Sequence, residues 1–475
     1  MKQIFLTLSF LTSLGAFAEP DIDLSLPELG DRVSGAVSND QERMIGNEFL
    51  KQVYSQAPLI SDPIIQEYSE LLIYRLSEYS QVKDRNFNVL LIDDKSLNAF
   101  AAPGGIIGIN GGLFLSAENE GQFASVLAHE LAHLSQRHFA RNVLSSQDNN
   151  LASVLVLVSA MAAAIASNNP TAFMAGPAFL QQQSLRYSRM YEREADRVGF
   201  NNLVMAQYDP SSMGEMFEQM VKIRRLAGDN IPEFLLTHPI SSSRVTDAFN
   251  AADSIESPYT KTNSINYEFI RGRLNVKYEN IPLNALRKME NLVENNPSNE
   301  NLYGLSIAYK NTNKYNKSLK QIDKLIESNP KNLILNTTKA EILLDQGKAQ
   351  QALALVDTFL NISPKNYPLS VLKAKILSYQ KELFAAEEII RDQLLRRNED
   401  PYLWLYLSEI QRDSKNVIGY HQSKAEYFLL LGQYEDALNQ LQFALKLTEN
   451  NFQVFESIMT KINTTRENIK GLRGQ

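Results

Sequence analysis

Apolar residues recur at helical spacing over most of this chain, interrupted once by a short extended stretch. Helical patterns cover Asp40 to Tyr54 and Pro63 to Tyr79; the second has Asp62 placed as N-cap and Pro63 at the first helical position. Phe87 to Ile92 reads as a strand, and Asn98 to Ala101 and Ile106 to Asn110 as extended segments joined through the turn Pro103-Gly104-Gly105. A helix follows over Asn119 to Ala140, with Phe123, Val126, Leu127, Leu131 and Leu134 at its apolar positions, and another is expected from Leu185 to Ala206. Between them, Leu151 to Ala166 is uncharged and apolar on every face, unlike a surface helix. Its 16 residues fall short of the roughly 20 that a bilayer span needs, so it reads as a buried or site-covering segment in preference to an integral helix.

The texture changes at Ile265. Helical pairs recur from there, punctuated by Asn296-Pro297, Asn329-Pro330, Ser363-Pro364 and Asp400-Pro401, whose prolines step by 33, 34 and 37 residues. A helix-turn-helix period near 34 is that of the tetratricopeptide repeat, which stacks into a curved solenoid with a concave binding face. Gly347 with Ala349 and Ala352, and Leu431-Gly432-Gln433-Tyr434 with Ala437, fall at the small-residue and Gly-x-x-Tyr positions of that repeat. Asn313 stands where a glycine usually falls. An irregular helical bundle is the alternative, and the regular proline punctuation favours repeats.

Composition narrows the class. A length of 475 residues asks for two domains of about 200 residues each. A net charge of −7 and a pI near 5.5 supply no basic footprint, which excludes nucleic acid as a partner. The absence of cysteine excludes disulfides and a thiol nucleophile. Met1-Lys2-Gln3, the apolar run Ile4 to Phe17 and Ala16-Phe17-Ala18 read as a secretory signal, with the mature chain starting at Glu19.

The chemistry concentrates in Ala128-His129-Glu130-Leu131-Ala132-His133-Leu134, which carries the His-Glu-x-x-His signature of zinc hydrolases. Residues four apart on a helix share a face, with Cβ atoms roughly 5–6 Å apart. Both rings can therefore reach one ion at about 2.0–2.1 Å per bond, with Glu130 at the same mouth but not bound. Such a site needs three protein ligands and one open position. In Glu192-Arg193-Glu194-Ala195-Asp196 the acids Glu192 and Asp196 lie four apart on one face, and a carboxylate there is a chemically suitable third ligand. An exposed helix whose acids pair with Arg189, Arg193 and Arg197 is the plainer reading, and it loses weight beside two histidines. His138, nine residues after His129, falls half a turn out of phase and is expected to point away from the metal face into a structural hydrogen bond. His238, in Leu236-Thr237-His238-Pro239, is placed to reach the site as a hydrogen-bond donor or as a metal ligand.

Asn98 to Gly105, His129 to His133, Glu192 to Asp196, the His238-Pro239 to Arg244 segment and the C-terminal repeats together resemble one family. It is the zinc metallopeptidase family that includes the CaaX prenyl protease and HtpX, in its periplasmic, repeat-bearing branch. The resemblance implies one Zn2+ per chain held by His129, His133 and Glu192, with Glu130 as catalytic base and Asp196 orienting a ligand. It further implies that His238 approaches the zinc, either as a fourth ligand that holds the enzyme latent or as an aid to catalysis, and that Arg244 lies near the reacting carbonyl.

The fold expected is mainly α: a signal peptide (1–18), an α+β zincin-type metallopeptidase domain with a small β-sheet (19–255), a linker (256–264) and an all-α tetratricopeptide-repeat solenoid (265–475). The function implied is that of a periplasmic zinc metalloendopeptidase with chaperone-like activity, which promotes assembly of outer-membrane β-barrel proteins and degrades misassembled ones. Its partners would be unfolded or misassembled outer-membrane proteins and, through the repeats, the β-barrel assembly machinery, with peripheral contact to a membrane. If Ile106 to Asn110 forms an edge strand above the metal helix, it would hold substrate by strand addition. The reading from another class is a repeat-based periplasmic chaperone or adaptor whose metal site is dispensable.

Overall fold

Ser38 opens the first helix through a reciprocal capping box: its hydroxyl accepts from the Gln41 backbone N–H, and the Gln41 side chain accepts from the Ser38 N–H. The computed structural model describes residues 38–145, 159–163, 165–166, 189–228, 231–255, 263–448 and 451–473. The signal segment, most of Leu151 to Ala166, the first residues of the expected Leu185 to Ala206 helix and most of the 256–264 linker lie outside the described residues. Helix α1 is Asn39–Gln56 and α2 is Pro63–Ser77, the latter with Asp62 accepting from the N–H groups of Ile64 and Ile65.

Three strands follow, β1 (Asn88–Ile92), β2 (Ala99–Ala102) and β3 (Ile106–Asn110), in the order β1-β3-β2. β1 runs parallel to β3 and β2 antiparallel to it. The turn from β2 to β3 passes through Gly104 and Gly105, both at φ +80°, a conformation that a side chain would strain. β3 is therefore the central strand, and the expectation that Ile106 to Asn110 forms the edge is corrected. Its backbone is committed on both sides, and β2 is the outer strand that packs on the metal helix.

Strand residues alternate between two cores, which explains why the strands are apolar throughout. Val89, Leu91, Ile107 and Ile109 join the main core, with Ile65, Leu72, Phe123 and Leu127. Leu90, Ile92 and Ile106 face α1 through Ile45, Phe49 and Val53. The described part of the long apolar run is helical and lies on this second core: Ala162 is buried, Met161 and Ile165 pack beside it, and the Gln52 amide donates to the Ser159 hydroxyl over 2.8 Å. No helix among the described residues is long and apolar enough to cross a membrane.

After the short α3 (Gly111–Ser116), Asn119 caps α4 (Glu120–Ser135), which is buried from Glu120 to His133. The single helix expected to Ala140 is broken: Arg137 takes a left-handed φ of 51°, and α5 (His138–Ser145) starts in a new direction. Among the described residues there follow α6 (Arg189–Met205), α7 (Ser211–Leu226), α8 (Glu233–Thr237) and α9 (Ser242–Asp253).

The repeats are helix pairs. Their first helices, α10 (Ile265–Lys277), α12 (Asn299–Asn311), α14 (Leu333–Asp345), α16 (Tyr367–Tyr379) and α18 (Pro401–Asp413), start 34 residues apart. Their partners are α11 (Pro282–Asn295), α13 (Tyr315–Ser328), α15 (Ala349–Ile362), α17 (Leu383–Leu394) and α19 (Val417–Leu430), followed by α20 (Tyr434–Leu445) and α21 (Phe452–Arg473). The turns inside the pairs carry a left-handed residue at the same period: Asn313, Gly347, Lys381 and Lys415.

α10 belongs to both halves. Tyr267, Ile270 and Leu274 enter the main core of the first domain, and the Tyr267 hydroxyl donates to the Phe114 carbonyl over 2.9 Å. The solenoid then curls back along the peptidase: Arg397 pairs with Glu70 at 2.7 Å, Asn366 donates to Glu67 at 2.7 Å, and Lys51 donates to the Tyr434 hydroxyl at 2.7 Å. A cavity of about 360 Å³ remains between β1, α2 and the repeats, lined by Tyr74, Val89, Arg397 and Tyr402 among others.

Candidate metal centre

Helix α4 is held against α6 by close backbone approach. A Cβ on Gly199 would lie 3.0 Å from the Ala128 carbonyl oxygen and from the His129 Cα, so only glycine lets the two helices come this near. The approach sets the face of α4 that carries His129, Glu130 and His133 against the face of α6 that carries Glu192 and Asp196. The third wall is the segment after α8, whose His238 N–H donates to the Phe234 carbonyl at 2.7 Å. Arg244 stands in the first turn of α9, which Ser241 caps.

His129 Nε2 and His133 Nε2 lie 3.0 Å apart. Glu192 Oε2 is 3.7 Å from the first and its Oε1 3.5 Å from the second, while His238 Nδ1 is 2.9 Å from Glu192 Oε1. Four donors, from His129, His133, Glu192 and His238, fall within 4.8 Å of one another, all buried. A tetrahedron with bonds of about 2.0–2.1 Å has edges of roughly 3.3–3.4 Å, so these separations suit one zinc ion. A set of two to three imidazoles and a carboxylate is also a zinc set by chemistry.

Glu130 supplies the second test. It is fully buried, neither carboxylate oxygen makes a well-formed hydrogen bond, and the polar group that comes nearest in bonding direction is the Ala101 backbone N–H. Its Oε1 is 3.8 Å from His238 Nε2. A carboxylate left so bare is costly unless something fills the space beside it. The residues present fit a metal with its water.

Beyond the donors, His129 Nδ1 faces Asp196 Oδ1 at 3.0 Å. Arg244 grips that carboxylate with two N–H groups, each at 2.6 Å, and turns Nη1 to Glu192 Oε2 at 2.8 Å and to the Pro239 carbonyl at 3.0 Å. The expectation for Arg244 was a place near the reacting carbonyl; the structure directs its donors onto the two acids and the backbone instead.

His138 stands outside the donor cluster and in structural hydrogen bonds, as expected, but by a different route. Because the chain turns at Arg137, the half-turn reckoning along one helix does not hold, and His138 Nδ1 comes back to within 2.9 Å of His133 Nδ1. Its Nε2 lies 3.1 Å from Glu194, which Arg141 holds at 2.9 Å. Glu194 lies off the face shared by Glu192 and Asp196, so the ligand spacing does not point to it; its position two residues from Glu192 is the signal that the sequence offers.

Charge inside the cluster follows from burial and neighbours. Burial raises Glu130 above its ordinary 4.5, against the pull of His238 and His129. Burial would raise Glu192 too, but His238, His129 and Arg244 outweigh it and hold the acid down. Asp196 is likewise kept low by His129 and Arg244 against burial. Burial and the neighbouring His129 push His133 well below 6.5, which leaves a lone pair free for a ligand bond. His138 drops to about 4, burial outweighing Glu194. His238 moves the other way, because Glu192 and Glu130 outweigh its burial.

Comparison with known proteins agrees with this geometry. The profile of peptidase family M48 matches residues 64–252. The beta-barrel assembly-enhancing protease of Escherichia coli O157:H7 is 30% identical over 364 residues, spanning 74% of this chain and 73% of that protein. The mitochondrial metalloendopeptidase OMA1 of Schizosaccharomyces pombe is 28% identical over 215 residues, 44% of this chain and 60% of that one. Among solved structures, a thermophilic tetratricopeptide-repeat protein of Thermus thermophilus covers 41% of this chain and 97% of its own, at 19% identity and a TM-score of 0.26. With the His-Glu-x-x-His helix and its glutamate partner in place, the extent of the bacterial match puts the chain in the metalloprotease family M48, among the beta-barrel assembly-enhancing proteases.

Proposed function

We propose that the chain is a periplasmic zinc metalloendopeptidase that cleaves stalled or misassembled outer-membrane β-barrel proteins and rests in a latent state. The observation that carries the reading is the set of four converging, buried donors with the buried Glu130 carboxylate beside them. His129, His133 and Glu192 would hold the ion, and Asp196 and Arg244 would keep His129 and Glu192 in place. When bound, zinc supplies Lewis acidity, which lowers the pKa of a water to about 7 and polarises a carbonyl.

Glu130 accepts the proton of the attacking water and returns it to the leaving amine; a carboxyl whose pKa burial has raised suits both halves of that transfer. The client lies along β2. Asn110 donates to the Asn98 carbonyl, so alternation turns the backbone groups of Ala99 and Ala101 away from β3, to the side where no strand pairs among the described residues and where the Ala101 N–H meets Glu130 until the site opens. An extended segment paired there is read through its backbone, which favours unfolded clients over a particular sequence. The name of the bacterial relatives supports outer-membrane proteins as those clients, the signal-like residues 1–18 support the periplasm, and the repeats are the surface offered to assembly machinery.

Latency rests on His238. Its ring is 2.9 Å from Glu192 and 3.8 Å from Glu130, and His129, Glu130, His133, Glu192 and His238 are each at most 3% exposed. A site this closed admits no client until the segment carrying His238 moves. The test is cleavage of an unfolded β-barrel protein by the zinc-loaded mature chain. Glu130→Gln is expected to abolish it and His238→Ala to raise it; full activity in Glu130→Gln refutes the reading. A second reading, a repeat-based chaperone, is favoured by the cavity between repeats and β1, which none of the cluster residues line. It predicts that Glu130→Gln restores the outer-membrane barrier of a deletion strain as well as wild type does.

A further inference from the structure

We infer that His138 is a positioning residue for the metal ligand His133, fixing its tautomer and ring plane through a chain that ends on Glu194 and Arg141; this rests on the metallopeptidase reading above. A His133 that keeps its Nε2 lone pair for a metal and an accepting Glu194 together set the protons along this chain. Glu194 is anchored by Arg141 at 2.9 Å and can only accept, so His138 Nε2, 3.1 Å away, carries the hydrogen. A neutral His138 then presents a lone pair at Nδ1. His133 Nδ1, 2.9 Å from it, must donate, which leaves the His133 Nε2 lone pair facing His129 Nε2 at 3.0 Å, where the donors converge.

Metal-bound histidines ordinarily donate their second nitrogen to a carboxylate or a carbonyl. His129 has the Asp196 carboxylate 3.0 Å from its Nδ1. His133 is served instead by a histidine, and the carboxylate sits one ring further out. The intermediate ring is itself held: Tyr191 stacks on His138 with centroids 4.7 Å apart and planes 18° apart, and Arg141 lies over the Tyr191 ring at 4.6 Å. His138 is completely buried. The left-handed Arg137 is what turns the chain back and allows this contact. The break in the helix thus has a role at the site: it brings α5 to the outer nitrogen of a ligand borne on α4.

The test is zinc affinity, measured by chelator competition on the full mature chain, with folding followed by circular dichroism. His138→Phe keeps the stack on Tyr191 and removes both ring nitrogens. His138→Asn places a carbonyl oxygen near the Nδ1 position, able to accept from His133. Loss of such a partner ordinarily costs about 10–100-fold in metal affinity. The expected result is a loss in that range for His138→Phe and affinity within a few-fold of wild type for His138→Asn. Equal affinity of wild type and His138→Phe would overturn the inference, as would equal losses in the two variants. If His138→Phe does not fold, Glu194→Ala takes its place, with a loss of several-fold expected and unchanged affinity counting against the chain. Failure of the wild-type protein itself to bind zinc would overturn the metal reading and this inference with it.

Discussion

Neutralising Glu341 is expected to loosen the repeats by about 3 kcal/mol at pH 7, and the effect should vanish in acid. Glu341 on α14 is reached by Arg273 on α10 at 3.0 Å and by Lys310 on α12 at 3.3 Å, and Arg273 also holds Asp62 at the start of α2, at 2.5 Å. Burial alone would raise this carboxyl, but the two cations outweigh it and bring the pKa from 4.5 to about 2. That difference is net of burial, and at about 1.4 kcal/mol for each pH unit it corresponds to about 3 kcal/mol. The cluster is partly buried, with the Glu341 side chain 21% exposed, so this lies toward the upper end of what the ion pairs contribute. A lowered pKa stabilises the fold above 4.5, and the contribution is lost as pH falls from 4.5 toward 2. Trp404 on α18, the chain's single tryptophan, reports unfolding of the repeats in urea. Glu341→Gln should shift its transition to lower urea by the stated amount at pH 7, and the gap should narrow below pH 4.5. A gap of the same size at pH 7 and pH 3, or none at pH 7, would show that the carboxylate's charge is not what ties the three elements.

Gly199→Ala should cost about 1–3 kcal/mol of thermal stability through overpacking and weaken zinc binding, since its Cβ would meet the His129 backbone at 3.0 Å; wild-type zinc affinity would contradict this. Lys381→Gly should stabilise the repeats by about 0.5–1 kcal/mol, because Lys381 holds φ 67° at a cost of roughly 1–2 kcal/mol that glycine's greater chain entropy only partly offsets; a lower melting temperature would count against the argument. Stripping zinc should lower the melting temperature of the first domain, because the donors come from α4, α6 and the segment after α8; at 1,000-fold excess over the dissociation constant the ion adds about 4 kcal/mol. An unchanged melting temperature with and without a chelator would argue against an ion bridging those elements.

Much of this was legible because it is local. The Asp62 cap, the 34-residue step of the repeats and the two histidines one turn apart depend only on neighbours in sequence. What was not legible depends on long-range packing or on one backbone angle. Nothing local to Ile106 to Asn110 shows that two other strands pair with it, so the condition on which it would add a client strand is not met. Arg137 belongs to a residue type that seldom adopts positive φ, so the helix break, and with it the contact from His138 to His133, carried no sequence signal. Arg244 was placed by resemblance alone, and its grip on Asp196 appears only once α9 is packed against α6.

The closed site and the fold around it bear on how activity would be released. The segment carrying His238 is moored by more than its ring: Phe234 and Leu235 are 2% and 3% exposed in the main core, and the Asn98 amide donates to Glu233 at 3.2 Å. Exposing two such side chains costs roughly 1.5–3 kcal/mol each, and losing the polar ties adds about 1 kcal/mol. Opening therefore costs on the order of 4–7 kcal/mol, which leaves the open state at roughly one part in a thousand to one in a hundred thousand. On the latent reading, a client has to contribute that much more to the open form than to the closed one before cleavage becomes fast. Strand pairing along Ala99 and Ala101 is a source of such energy, available only to a chain that is extended and unpaired. A folded barrel has no free strand to offer, so on the proposed reading the contact that binds a client would also separate stalled proteins from finished ones.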